Sequence, residues 1–220
     1  MKANHLRPVA REVLTTLDRL QFATMDQLVY WVQIKQPAMS KTLRQLCDGG
    51  QVSVDRALRP HIYSLTNVGR RAIASKAPKK IVRSAAVMRH ICHRNQSEMM
   101  LRQRYERMTF QSRTAWFKYG LNPAHGEHGA KDVDGYTLVL LDDYLMDSSR
   151  IAHSWTRPHA ANDRYWSHPQ IRHWRDVVNR FVVVSTDEGQ CERHQGYIEK
   201  KGLDDSVRVL HVEPLWENIC

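Results

Sequence analysis

The stretch Pro37–Leu65, PAMSKTLRQLCDGGQVSVDRALRPHIYSL, decides how the first part of the chain folds. Pro37 suits a first helical turn, where its fixed φ and missing N–H do no harm. Met39, Leu43 and Leu46 recur at i, i+4 and i+7, which turns one apolar face of a helix toward a core. Ser40, Lys41, Thr42, Arg44 and Gln45 are then left largely outward. Gly49-Gly50 ends the helix, because glycine tolerates the left-handed cap conformation. Two short strands follow, near Gln51–Val54 and His61–Leu65. Between them Asp55-Arg56-Ala57-Leu58-Arg59-Pro60 reads as a turn with two arginines at its tip.

Outward from that stretch, Pro8 to Leu20 predicts a first helix with Val13, Leu14, Leu17 and Leu20 on its apolar face. Thr24 is placed to cap a second helix with Leu28 and Val29 inward. Thr66 caps a further helix over Asn67–Ser75. The order helix, helix, helix, strand, turn, strand is that of a winged helix-turn-helix, here residues 1–76. In such a domain the third helix enters the major groove and the wing meets phosphate or the minor groove. Ser40, Lys41, Thr42, Arg44 and Gln45 are therefore the expected DNA-reading side chains, and Arg56 and Arg59 the expected wing contacts.

Charge supports a polyanion at this end. Met1–Arg89 holds 16 Lys and Arg against 5 Asp and Glu, a balance of +11, while the remaining residues hold 17 against 18, a balance of −1. Each phosphate met by Lys or Arg releases counterions, so a polarised basic segment suits double-stranded DNA better than it suits solubility alone. No apolar run approaches the ~20 residues of a membrane span, so no membrane partner is expected. The start lacks the apolar stretch of a signal peptide. Cys47, Cys92, Cys191 and Cys220 are scattered; reduced thiols and a cytoplasmic location are expected.

Lys76-Ala-Pro-Lys-Lys-Ile-Val-Arg83 is basic and proline-bearing, and a linker is read at 77–85. A second domain, 86–220, opens with a helix near Ala86–Arg107. Its middle, His90, His93, Asn95, Gln96, Ser97 and Glu98, reads as a solvated face. Strands are expected at Thr114–Lys118, Tyr136–Leu141, Ile151–Trp155, Phe181–Ser185 and Val207–Val212. Helices are expected at His168–Asn179 and Glu192–Lys201. Interleaving of this kind argues for an α/β domain, a sheet with helices packed on it, and for α+β organisation overall.

Three stretches carry a resemblance: Tyr63-Ser-Leu-Thr66-Asn-Val-Gly69, the His90-to-Leu101 helix, and Asp132-Val-Asp134-Gly135 entering a strand. Together they resemble the replication-relaxation family of plasmid and phage proteins, which is related to a class of plasmid mobilization relaxases. The resemblance implies a winged helix followed by a restriction-endonuclease-like domain. In that fold an Asp and a following E-x-K hold a divalent metal and activate water. Asp134 matches the first position, with Glu98 and Asp132 as further candidate carboxylates. The next stretch, Arg150-Ile-Ala-His153-Ser-Trp155-Thr-Arg157, carries no E-x-K. The resemblance thus implies a degenerate core that serves homodimerisation or a protein partner. The expected function is site-specific DNA binding for a mobile element, as transcription regulator or as accessory to mobilization or replication, without a cofactor. The alternative is a metal-dependent DNA nicking relaxase or endonuclease using Mg²⁺ or Mn²⁺.

Two further groupings are weaker. His125 with His128, and Cys191 with His194, have short metal-ligand spacings, but they read as polar loop residues. Trp155, Tyr165, Trp166 and Trp174, with Arg157, Arg164 and Arg172, resemble a stacking surface, yet read as mainly structural, Trp174 as core. No phosphate-cradling glycine loop occurs.

Overall fold

The computed structural model describes residues 6–75, 84–124, 126–143, 145–157 and 172–213. The chain is a mixed α/β protein with two compact units, one running through Met99 and one from Met100 to residue 214.

The first unit begins with α1 (Pro8–Leu20), β1 (Phe22–Ala23), α2 (Met25–Val32) and α3 (Gln36–Asp48). Then come β2 (Val52–Asp55), β3 (Ile62–Leu65), α4 (Asn67–Ala72) and most of α5 (Ala85–Arg104). Val13, Leu14, Leu17 and Leu20 of α1 are all fully buried, and they meet Leu28, Met39, Leu43 and Leu46 in one core. At the start of α2, Thr24 Oγ1 accepts the Gln27 N–H at 3.3 Å, and the Gln27 side chain accepts the Thr24 N–H at 3.1 Å. That reciprocal cap satisfies two otherwise orphaned donors. The strands form an antiparallel sheet in the order β1-β3-β2, with Val52 opposite Leu65 and Phe22 opposite Ser64.

The Tyr63–Gly69 stretch has plain structural duties. Thr66 Oγ1 accepts the N–H groups of Val68 and Gly69 at 3.2 Å and donates to the Gly50 carbonyl at 2.6 Å. Gly69 passes so near β2 that a Cβ there would lie 2.2 Å from the Gln51 carbonyl oxygen.

The polar middle of α5 is not a solvated face. His93, Asn95, Ser97 and Glu98 are buried. Asn95 Nδ2 donates to the Phe22 carbonyl at 2.7 Å, and Gln27 Nε2 donates to the Cys92 carbonyl at 2.7 Å. Cys92, Met88 and Ile91 pack with Phe22, Leu58 and Ile62. The amphipathic signal is weak here because this helix is held by hydrogen bonds to the backbone of α1 and β1 as well as by apolar contact.

The second unit carries β4 (Thr109–Phe110), α6 (Arg113–Phe117), β5 (Glu127–Lys131), β6 (Tyr136–Asp142) and α7 (Ser149–Thr156). A 3-10 turn at Trp174–Asp176, β7 (Arg180–Ser185), α8 (Glu188–Lys200) and β8 (Val207–His211) complete it. The sheet order is β4-β5-β6-β7-β8. Its first three strands are antiparallel neighbours, and β6, β7 and β8 run parallel. Parallel strands covered on both faces read as unbroken apolar runs, as β6 and β7 do. Leu138, Leu140, Phe181 and Val183 pack with Trp116, Ile151, Trp174 and Ile198 on one face. Val139, Leu141, Val182 and Val184 pack with Leu101 and Met108 on the other.

Several elements differ from the sequence reading. Thr114–Lys118 is not a strand but part of α6, capped by Ser112 Oγ accepting the Ala115 N–H at 3.3 Å. Ile151–Trp155 is not a strand but lies in α7; Ile151 and Ser154 are its buried residues, at helical spacing. Of the helix expected over His168–Asn179, residues 168–171 lie outside the described residues, and the rest holds only the short 3-10 turn. Among the described residues β1, β4 and β5 are the unanticipated strands; β1 and β4 are two residues each, and Gly129 and Ala130 dilute the β signature of β5. The 77–85 linker lies mostly outside the described residues, and the first unit takes in α5 up to Met99.

Candidate nucleic-acid interface

In α3, Met39, Leu43 and Leu46 are the buried residues. Ser40, Lys41, Arg44 and Gln45 are exposed on the opposite side. Thr42 is half-buried and its hydroxyl donates to the Ala38 carbonyl at 2.8 Å, so that hydroxyl is engaged within the helix. The N-cap residue of α3 is Lys35, which is exposed and whose side chain makes no cap hydrogen bond. A positive side chain at a helix N-terminus is an arrangement that favours anions. Lys35 was missed in the sequence because it precedes Pro37 and lies outside the helical period.

The turn between β2 and β3 is built locally. Asp55 Oδ1 accepts the Ala57 N–H at 2.9 Å, and Leu58 is buried against Phe22 and Ile62. This anchoring leaves Arg56 and Arg59 exposed on either side of it. Burial pushes the Cys47 thiol and the Tyr63 hydroxyl up from their ordinary pKa values, and the positive charge of Arg56 works against both shifts. Arg56 is therefore close enough to the C-terminal end of α3 to add its field there.

The carboxylates considered as metal ligands are engaged by arginine. Asp132 Oδ1 accepts the N–H groups of Asp134 and Gly135 at 2.9 Å, while its other oxygen pairs with Arg180. Asp134 Oδ2 lies 2.9 Å from Arg180 Nη2, and the guanidinium stacks over Tyr105 at 4.6 Å. Asn179 closes the same turn, accepting the Tyr136 N–H and donating to the Asp134 carbonyl. Asp132-Val-Asp134-Gly135 is thus the hairpin turn joining β5 to β6. Glu98, in the first unit, has a side chain only 2% exposed and pairs with Arg19 at 3.0 Å. A carboxylate the sequence did not single out, Glu127, opens β5; it accepts the Ala124 N–H at 2.7 Å and pairs with Arg157 at 3.2 Å.

Among the described residues, no three His, Cys, Asp or Glu side chains form a group able to hold a metal ion. His125 lies outside the described residues. His128 and His194 are not loop residues: His128 sits in β5 stacked on Phe110 at 5.6 Å, and His194 is fully buried in α8. Of the aromatic grouping, Trp174 is fully buried and Trp155 stacks on Phe181 at 5.4 Å. Arg164, Tyr165 and Trp166 lie outside the described residues. No helix among the described residues is long and apolar enough to cross a membrane. No protein-family model matches the chain, and no curated protein matches it in sequence.

Proposed function

We propose that this chain is a site-specific double-stranded-DNA-binding protein whose first unit is a winged helix-turn-helix. α3 reads the major groove through Ser40, Lys41, Arg44 and Gln45, with Thr42 at the margin. Arg56 and Arg59 of the wing hold phosphate or minor groove. The observation that carries the reading is the two-sidedness of α3: its apolar residues are sunk in the core, and the opposite side is an exposed polar and basic row. The charge of +11 over the first 89 residues supports it. The sheet order β1-β3-β2 around three helices also agrees with that domain type.

The second unit serves as a restriction-endonuclease-like scaffold without the cutting chemistry. Its five-stranded sheet, with α7 between β6 and β7 and α8 between β7 and β8, agrees with such a core. Its turn carboxylates are held by Arg180. The protein acts for a mobile element, as a regulator or as an accessory to mobilization or replication, and binds as a homodimer in the cytoplasm. The test is a footprint on the DNA flanking its own gene, combined with a salt titration of affinity. A protected site, with affinity falling steeply as salt rises, is expected. Affinity that ignores salt and sequence would end the proposal.

A further inference from the structure

We infer that Ser148 is the activated nucleophile of a Ser–His–Asp acyl-transfer site in the second unit, acting on uncharged carboxylic esters. β6 ends at Asp142, Ser148 occupies the N-cap position of α7, and His194 lies in α8. His194 Nε2 is 2.9 Å from Asp142 Oδ2, and His194 Nδ1 is 2.8 Å from Ser148 Oγ. The Asp142 and His194 side chains are both 0% exposed, whereas Ser148 is only half-buried. An ionised carboxylate only accepts, so the neutral imidazole that bonds both neighbours carries its proton on Nε2. Asp142 Oδ1 already accepts the Met146 N–H at 2.7 Å, and its second oxygen takes the proton on Nε2. With Nε2 protonated, Nδ1 presents its lone pair to the serine hydroxyl. A carboxylate that orients an imidazole, and an imidazole that accepts the serine proton, is the arrangement that makes a hydroxyl nucleophilic.

The surroundings hold this chain in place. Gln190, one turn before His194, donates to the Met146 carbonyl, so α8 is bonded to both Met146 and Ser148. The group lies at the C-terminal end of parallel β6 and β7, the rim at which open α/β sheets place their ligands. Asp147, exposed beside Ser148, has its carboxyl held below the usual range by hydrogen bonds from the Ser149 side chain and backbone. That permanent negative charge repels anionic substrates, a phosphodiester included. Leu145, 64% exposed in a left-handed conformation of φ 51°, precedes Ser148 by three residues, while half-buried Met146 packs against the core around Ile151 and Ile198.

In the reaction Ser148 Oγ bonds to the ester carbonyl carbon while its proton passes to His194 Nδ1. The ester C–O bond then breaks, and the alcohol leaves with that proton. Water next gives a proton to His194 and adds to the acyl-serine; the acid departs, and the proton returns to Oγ. Asp142 is a positioning residue throughout.

The test uses the full-length protein with a fluorophosphonate probe and p-nitrophenyl butyrate. One phosphonyl group on the Ser148 peptide is expected by mass spectrometry, together with ester turnover. Ser148→Ala should lose both while keeping the far-ultraviolet circular dichroism and melting temperature of the parent. Asp142→Asn, whose amide offers one acceptor where Asp142 uses two and so turns the imidazole to the tautomer with its proton on Nδ1, should slow labelling at least tenfold. Because Asp142 and His194 are buried, Ser148→Ala decides the matter if their variants do not fold. An unlabelled parent protein, or labelling that survives in Ser148→Ala, would overturn the assignment. The outcome does not depend on whether the first unit binds DNA.

Discussion

The indole of Trp116 fills the space above Gly129: a Cβ built on that glycine would lie 1.6 Å from the Trp116 ring. Trp116 is 1% exposed and meets Trp174 edge-on at 5.1 Å, so it has no direction in which to yield. Gly129→Ala should therefore destabilise the second unit by about 1–3 kcal/mol or more, the usual cost of overpacking. A urea midpoint equal to that of the parent would show that the ring moves freely.

Loss of a base-reading side chain and loss of a phosphate contact have different signatures. Lys41→Ala and Arg44→Ala are expected to lose about 1–3 kcal/mol on the cognate site and to relax specificity. Arg56→Ala and Arg59→Ala are expected to weaken all sequences alike and to lower the salt slope by roughly one unit each. Lys35→Ala should behave like the wing variants. Unchanged affinity in all five would remove this face from the interface.

Arg180 pairs with both Asp132 and Asp134, where a nuclease would need free carboxylates. The purified protein is expected to leave supercoiled plasmid intact in Mg²⁺ and in Mn²⁺. Asp132→Ala should destabilise the fold by about 1–3 kcal/mol, since two backbone N–H groups lose their acceptor. Metal-dependent nicking that disappears in Asp134→Ala would promote a relaxase reading instead.

Thr66 caps α4 and ties it to the Gly50 carbonyl. Thr66→Ala should cost about 0.5–2 kcal/mol in thermal or urea unfolding. Gly69→Ala should cost more, because the added methyl meets a backbone oxygen and not a movable side chain.

Burial raises the pKa of Cys47 and Cys191, the latter helped by the nearby charge of Asp142. A raised thiol pKa means less thiolate, so both should react with iodoacetamide more slowly at pH 8 than they do in urea. The sign for stability follows: the folded state keeps these protons longer, and their contribution fades as pH climbs past the unfolded thiol value. Equal alkylation rates in the folded and unfolded protein would contradict the shift.

Local rules sufficed for the first three helices. Val13, Leu14, Leu17 and Leu20 at helical spacing, the Thr24 cap, and Pro37 with Gly49-Gly50 set α1, α2 and α3 within a few residues. The unbroken apolar runs of β6 and β7 were equally legible, because a strand covered on both faces leaves no polar period to misread. Where partners came from far along the chain, the sequence was silent. Asn95 looks solvated until the carbonyls of Leu20 and Phe22, more than seventy residues earlier, receive its amide. Ile151–Trp155 has a strand's composition, yet its burial at helical spacing and the stacking of Trp155 on Phe181 make it a helix. Asp134 was drawn from the sequence as a metal ligand, and its tertiary neighbour Arg180 makes it half of an ion pair. Asp142, Ser148 and His194 show no motif spacing at all. Only the packing of α7 and α8 at the end of β6 brings a carboxylate, a hydroxyl and an imidazole into one hydrogen-bonded line.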